Sequence, residues 1–169
     1  MPSKELQAAR DAAEAAAVVI RSLYQKNLQI TTKADATPVT EADVRSEEAI
    51  RAVLTERFPT YGFYGEETGK HALDAESVWL VDPIDGTKSF VRETPFFSTQ
   101  IALMREGRFV LGVSSAPAYG EIAWAEEGSG AFMNDKPIRV SSVGDLAGSI
   151  LSGGNLKTLT RSPAWARYG

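Results

Sequence analysis

The segment Trp79-Leu-Val-Asp-Pro-Ile-Asp-Gly-Thr87 decides the fold, because it joins an apolar strand to a turn that carries two carboxylates. Its apolar beginning is typical of a buried strand, and Asp82 stands at the C-terminal end of that strand. Pro83 lacks a backbone N–H donor and is expected to end the strand there. Asp85 follows on the turn, and residues 86–92 should form a helix whose first N–H groups point outward. The segment therefore predicts two acidic side chains beside a site for an anion.

A third acidic side chain is expected close to this pair. Glu66 follows a short aromatic strand over residues 61–64, so two separate strand ends would deliver carboxylates. The single histidine, His71, stands in an expected surface loop, and the sequence contains no cysteine. A set of ligands made only of oxygen atoms favours magnesium or manganese over zinc. These residues indicate a divalent cation shared with a phosphate group.

Each of these signals also has a purely structural explanation. Asp-Pro and Asp-Gly pairs commonly form turns, and Glu66-Glu67 in a loop is commonly a solvated pair of charges. Thr40 and Asp43 have the Thr-x-x-Asp spacing of a helix cap, which is worth ~1 kcal/mol. Gly86-Thr87 before a helix is compatible with capping as well. The joint arrangement, and not any single motif, favours a functional site.

The rest of the chain predicts two helices followed by a sheet. Apolar residues three and four apart indicate helices over residues 3–25 and 40–58, and the polar segment 31–39 between them indicates a loop. Short strands separated by Gly or Pro follow, over residues 61–64, 78–81, 98–104, 109–114, 121–125 and 130–133. This order indicates an α+β fold with a largely antiparallel sheet, and not a doubly wound α/β fold.

Composition argues against several classes of protein. Hydrophobic residues make up 43% and charged residues 24% of the 169 residues, which is ordinary for a globular domain. The net charge of −4, without a basic cluster, argues against nucleic-acid binding. The N-terminus lacks a signal-peptide pattern, and no run approaches the ~20 apolar residues of a membrane span. We expect a cytoplasmic protein that binds neither nucleic acid nor a membrane.

Taken together, these motifs resemble the signature of the inositol monophosphatase superfamily of magnesium-dependent phosphatases. The similarity rests on the segment from Trp79 to Thr87, on Gly65-Glu66-Glu67 and on Lys33-Ala-Asp-Ala-Thr-Pro-Val-Thr-Glu-Ala-Asp43. It extends over essentially the whole chain. The resemblance implies a layered αβαβα sandwich of the inositol monophosphatase/fructose-bisphosphatase type, of which this chain would supply the N-terminal part. It also implies a homodimer.

The resemblance assigns metal ligands to four positions. Glu66, Asp82 and Asp85 match carboxylate ligands, and Ile84 matches a residue that offers its backbone carbonyl. The family's cofactor would be Mg²⁺, with two or three ions bound, and Mn²⁺ would be an alternative.

The resemblance also assigns catalytic and substrate-binding roles. Thr87 and Asp43 correspond to the pair that orients and activates the attacking water, which the metal ions also activate, and Glu66 is the third catalytic residue. Lys33 corresponds to a lysine on a mobile loop near the site. The residues that would contact the substrate are Glu66, Ile84, Asp85, Gly86 and Thr87.

The substrate implied by the resemblance is a small phosphorylated metabolite. Segments 37–43, 81–92 and 114–117 look most like the histidinol-phosphate phosphatases of the superfamily, which favours hydrolysis of histidinol phosphate to histidinol in histidine biosynthesis. Inositol 1-phosphate and other sugar or nucleotide phosphates stay open as alternatives.

One family motif has no counterpart. The family carries a Trp-Asp pair far downstream, whereas Trp165 here is followed by Ala166. We expect a truncated chain, with an N-terminal α+β domain that binds metal and phosphate over residues 1–150 and the start of a C-terminal domain over residues 151–169. A non-catalytic module that binds metal or mediates oligomerisation is the alternative from another class.

Overall fold

The computed structural model describes residues 2–26, 30–32, 38–150, 152, 160–163 and 165. The chain divides into two compact units, Met1–Ile138 and Arg139–Gly169, and every helix and strand named below belongs to the first. This division falls after Ile138, whereas the sequence predicts a domain boundary after residue 150. The boundary after residue 150 stays a prediction. Among the described residues, none of the helices combines the length and apolar character needed to cross a membrane.

The two expected helices are present, and each begins at a capping side chain. Helix α1 spans Lys4–Leu23, and its N-cap hydroxyl belongs to Ser3. Helix α2 spans Glu41–Arg57, and Thr40 and Asp43 form a reciprocal capping box at its start. Such caps satisfy backbone N–H groups that have no partner inside the helix. The capping explanation of the Thr-x-x-Asp spacing is therefore confirmed.

The strands form one large sheet and one small pair. Their bounds, with the short helix α3, are β1 (Ile30–Thr32), β2 (Pro38–Thr40), β3 (Gly62–Gly65), β4 (Lys70–His71), β5 (Ser77–Asp85), α3 (Thr87–Val91), β6 (Ser98–Arg105), β7 (Arg108–Ala116), β8 (Glu121–Glu126), β9 (Gly130–Met133) and β10 (Lys136–Ile138). The large sheet has the order β10-β9-β8-β7-β6-β5-β3-β4, and β1 pairs with β2. In the described part of the chain, β3 and β5 are parallel and the other paired strands are antiparallel.

Three local predictions were wrong. Pro83 does not end its strand, because β5 continues to Asp85. The register explains why: from Asp82 to Asp85, three steps along β5 match only two along β6, from Gln100 to Ser98. This extra residue makes a β-bulge, a place where a strand tolerates proline. The expected loop over residues 31–39 contains parts of β1 and β2, and His71 belongs to the edge strand β4.

Helices α1 and α2 cover one face of the sheet. Helix α1 contacts β6 and β7, while α2 contacts β5 and packs along α1. The large side chains of the sheet that are buried include Phe63, Trp79, Ile101, Leu103, Leu111 and Val113. Small side chains allow α1 to approach closely, since its fully buried residues include Ala8, Ala9, Ala12, Ala13 and Ala16. This packing holds β5, and with it the acidic turn, against the helices.

Replacing Ala9 by leucine is expected to destabilise the fold. Ala9 has 0% exposure, and inserting a larger side chain into a packed interior typically costs about 1–3 kcal/mol. Val18→Leu is the control, because Val18 on the same helix is 59% exposed. Urea unfolding curves of the two variants would measure the difference. Equal free energies of unfolding would show that this helix does not pack as tightly as described.

Candidate active site

The parallel pairing of β3 with β5 brings Glu66 beside Asp82. Gly65 is the register partner of Val81, so the next residue on each strand carries a carboxylate. The N–H of Glu66 donates to the carbonyl of Val81 at 3.2 Å, which continues the ladder by one step. Carboxyl ends of neighbouring parallel strands lie at the same edge of a sheet. The register thus places Glu66 beside Asp82, although Asp82 lies within β5 and not at its end.

The carboxyl groups of Glu66 and Asp82 share a hydrogen bond. Burial, followed by the charge and the hydrogen bond of Glu66 and then the charge of Asp85, raises the pKa of Asp82 to about 7. The backbone N–H of Ile84, which donates to Oδ1 of Asp82 at 3.1 Å, opposes this rise in pKa. Two carboxyl groups can be joined by a hydrogen bond only when one of them carries a proton. The close approach of the two carboxyl groups therefore favours the protonated form of Asp82.

Asp43 and Thr87 form a second polar contact beside the turn. One carboxylate oxygen of Asp43, Oδ2, accepts from the N–H and the hydroxyl of Thr40, each at 2.7 Å. The other, Oδ1, lies 3.2 Å from the hydroxyl of Thr87, which is also 3.1 Å from the carbonyl oxygen of Ile84. Burial is the main cause of a raised pKa for Asp43. The same carboxylate both caps α2 and contacts the predicted catalytic threonine.

Gly86 and Thr99 fix the turn that carries Asp85. Gly86 has φ of 98°, a left-handed conformation that glycine adopts without strain. A Cβ atom there would lie 2.7 Å from the carbonyl oxygen of Phe96. The hydroxyl of Thr99, which is fully buried, donates to the carbonyl of Pro83 at 2.8 Å. Sequence reasoning identified Gly86 but missed Thr99, whose type and position in a strand give no signal.

A second buried residue, Glu47, was also missed. Its carboxylate accepts hydrogen bonds from the backbone N–H groups of Glu67 and Thr68 and from the hydroxyl of Thr68. It stands four residues after Asp43, on the same side of α2 as the apolar residues Ile50 and Leu54. An acidic residue in the apolar stripe of a helix is the signal that could have identified it.

The structure does not bring all the predicted ligands into one cluster. Asp85 is exposed and acts on Asp82 through its charge. In the described part of the chain, no group of three or more Asp, Glu, His or Cys side chains is arranged to hold a metal ion. The carbonyl oxygen of Ile84, another predicted ligand, lies 3.1 Å from the hydroxyl oxygen of Thr87. Lys33 lies outside the described residues.

The carboxyl pair opens toward a groove on the sheet face opposite α1 and α2. The groove has a volume of about 910 Å³, and its lining includes Glu66, Asp82, Gln100 and Ser114 together with exposed aromatic side chains such as Phe109. The largest influences on the pKa of Asp82 are burial and the carboxylates of Glu66 and Asp85. Two carboxyl groups next to a concave surface can receive a cation and a ligand that binds with it.

Comparisons with known proteins agree with this geometry. A histidinol-phosphatase from Chlorobaculum parvum is 43% identical over 146 residues, which are 86% of this chain and 56% of that protein. An inositol-1-monophosphatase from Mesorhizobium japonicum is 43% identical over 117 residues, 69% of this chain and 44% of that protein. The chain therefore spans about half the length of the curated relatives it matches.

Solved structures agree as well. The extragenic suppressor protein SuhB from Bartonella henselae superposes with a TM-score of 0.80 at 37% identity, over 83% of this chain and 56% of that one. The inositol monophosphatase from Thermotoga maritima gives a TM-score of 0.78 at 32% identity, over 83% and 55% of the two chains. These likenesses confirm the layered α+β fold implied by the sequence. Residues 1–162 match the model of the inositol monophosphatase family, and the chain belongs to that family.

Proposed function

We propose that this protein is a magnesium-dependent phosphatase that hydrolyses a small phosphate monoester. The observation that carries the proposal is the pair of neighbouring carboxyl groups of Glu66 and Asp82 in the lining of a groove. Because the chain covers 56% of its histidinol-phosphatase relative, the proposal concerns the product of the complete reading frame.

The acidic pair fits a divalent cation. Oxygen ligands suit Mg²⁺ and Mn²⁺, and a cation held by the two carboxylates would relieve their repulsion and favour their ionised forms. Glu66, Asp82, Asp85 and the carbonyl of Ile84 are the groups that would hold two or three such ions. When bound, Mg²⁺ would lower the pKa of a water molecule and neutralise negative charge on the phosphate.

The protein's own groups would orient the attacking water and the phosphate. The hydroxyl of Thr87 lies within reach of Asp43, so Asp43 can accept its hydrogen and leave the Thr87 oxygen free to accept one from water. This chain of hydrogen bonds would direct the water oxygen toward phosphorus. The backbone N–H groups of Gly86 and Thr87 would hold the phosphate oxygens.

Histidinol phosphate is the substrate that we propose. The resemblance of segments 81–92 and 114–117 to histidinol-phosphate phosphatases supports this choice over inositol 1-phosphate. The relatives do not separate the two, because a histidinol-phosphatase and an inositol-1-monophosphatase are both 43% identical to the chain. We also propose that the protein is a cytoplasmic homodimer. It would act on small molecules and would bind neither nucleic acid nor membranes.

Asp82→Asn is expected to stabilise the metal-free protein. At pH 8 the carboxyl is ionised in both states, and its repulsion by Glu66 and Asp85 opposes folding, so removing the charge should raise the free energy of unfolding by roughly 1 kcal/mol. Asparagine keeps the oxygen that accepts from Ile84. The gain should shrink as the pH falls below the folded pKa of about 7, because the carboxyl of the folded wild type then becomes protonated and uncharged. The gain should disappear below the unfolded pKa of about 3.9, where the carboxyl is protonated in both states.

Urea unfolding in EDTA at pH 5 and pH 8 measures this gain. Asp74→Asn is the matched control, since Asp74 is exposed and its neutralisation should change stability little at either pH. A destabilised Asp82→Asn variant, or an equal effect at both pH values, would show that the pair is not under electrostatic strain.

Glu66→Gln should abolish most of the phosphatase activity. Loss of a carboxylate ligand is expected to lower kcat by at least about 100-fold at saturating Mg²⁺, because charge neutralisation and the activation of water both depend on the bound ion. Phosphate release measures kcat, and thermal unfolding checks that the fold is intact. Glu76→Gln, at an exposed position, is the control. Wild-type activity in the Glu66 variant would refute the assignment of the metal site.

Initial rates on two substrates test the proposed specificity. With Mg²⁺ present, kcat/KM for histidinol phosphate should exceed that for inositol 1-phosphate by about tenfold or more, which corresponds to a difference of about 1.4 kcal/mol in the barrier. A preference for inositol 1-phosphate would overturn the choice of substrate but retain the phosphatase. If the product of the complete reading frame binds Mg²⁺ but hydrolyses neither compound nor other sugar or nucleotide phosphates, it is a non-catalytic module.

A further inference from the structure

Glu47 is a fully buried acidic residue whose carboxylate is surrounded by donors from one loop. Oε2 accepts from the N–H of Glu67 at 2.8 Å, and Oε1 accepts from the N–H of Thr68 at 2.6 Å and from the Thr68 hydroxyl. Glu47 has 0% exposure. Hydrogen bonds to an ionised acceptor are stronger than neutral ones, so the carboxylate holds the backbone directly after Glu66.

The chain is shaped to let this carboxylate reach the loop. Gly65 directly precedes Glu66 in the sequence. A Cβ atom at Gly65 would lie 2.1 Å from Oε1 of Glu47. No side chain at Gly65 is compatible with the observed position of the carboxylate. The glycine and the buried glutamate, which are 18 positions apart, are therefore parts of one arrangement.

Two anchors on opposite sides fix the backbone of Glu66. On its N-terminal side, its own N–H donates to the carbonyl of Val81 on β5. On its C-terminal side, the next two N–H groups donate to Glu47 on α2. The side chain of Glu66 starts from a backbone held by a strand and by a helix, which reduces the freedom that the carboxylate would lose when it binds an ion.

We propose that Glu47 is a positioning residue for the cation site, and that it sets the Mg²⁺ affinity by holding the Glu66 loop without touching the ion. The inference rests on the proposed function, because it takes Glu66 to be a ligand. A purely structural role would link α2 to the loop and stabilise the fold, but it would leave the affinity for Mg²⁺ unchanged. The two roles differ in what a conservative substitution does.

Glu47→Gln is the sharpest variant, because it keeps the shape of the side chain and removes one acceptor oxygen. The NH₂ group of glutamine cannot accept, so either the Glu67 N–H or both donors of Thr68 lose their partner. We expect the Kd for Mg²⁺ to rise about tenfold or more, as is typical for residues that orient a metal ligand. Isothermal titration of the metal-free product of the complete reading frame with MgCl₂ alone measures the Kd.

Glu48→Gln is the matched control, since it makes the same chemical change at the next, exposed position of the same helix. It should leave the Kd for Mg²⁺ unchanged. Amide hydrogen exchange supplies a readout that needs no metal: the N–H groups of Glu67 and Thr68 should exchange faster in Glu47→Gln than in the wild type and in Glu48→Gln. Unchanged exchange or an unchanged Kd in the Glu47 variant would overturn the inference.

Thr68→Val tests the inference if Glu47→Gln does not fold. It removes only the hydroxyl donor and should raise the Kd for Mg²⁺ by roughly threefold, which corresponds to the net loss of a single hydrogen bond. An unchanged Kd in this variant would also count against the positioning role. Absence of Mg²⁺ binding by the wild type would refute the proposed function itself, whereas normal wild-type binding with no effect of the loop variants would refute the role of Glu47 alone.

Discussion

The closeness of the carboxyl groups of Glu66 and Asp82 is the constraint on which the rest of the site depends. The two acidic side chains repel each other, and burial adds to the penalty on the charged form of Asp82. The ladder between β3 and β5 holds them together, since its register places one directly beside the other. The stability of the helix-covered face therefore maintains the close approach of two groups of like charge.

Helix α2 organises both halves of the site from its first two turns. Asp43 contacts the Thr87 side of the turn after β5, and Glu47, one turn later, holds the loop after β3. Both carboxylates are buried, and each accepts several hydrogen bonds that offset the loss of water. The helix thus relates two loops that are not adjacent in sequence, while its apolar residues Ile50 and Leu54 pack in the core.

Much of this arrangement follows from the sequence, but the exceptions share a physical cause. Both helices, the α+β order and the meeting of Glu66 with Asp82 were predicted from periodicity and from strand ends. The proline in β5 was misjudged because β5 contains a bulge opposite β6, which no local pattern reveals. Strands of two or three residues such as β4 and β10 are too short for periodicity to show. Glu47 was missed because acidic residues on helices are almost always solvated, and only the tertiary structure supplies its donors.

The residues that depart from the usual preferences for burial, charge and backbone conformation lie where the proposed chemistry is located. An aspartate with its pKa raised to about 7, a glycine at positive φ and a buried glutamate each lower stability or restrict the choice of residue. Such departures are expected where a protein binds something that the chain alone does not contain. A cation and a proton would compete for the oxygen atoms of Asp82, so protonation of that carboxyl should weaken binding of the ion. The same strain that weakens the metal-free fold would then favour occupation of the site.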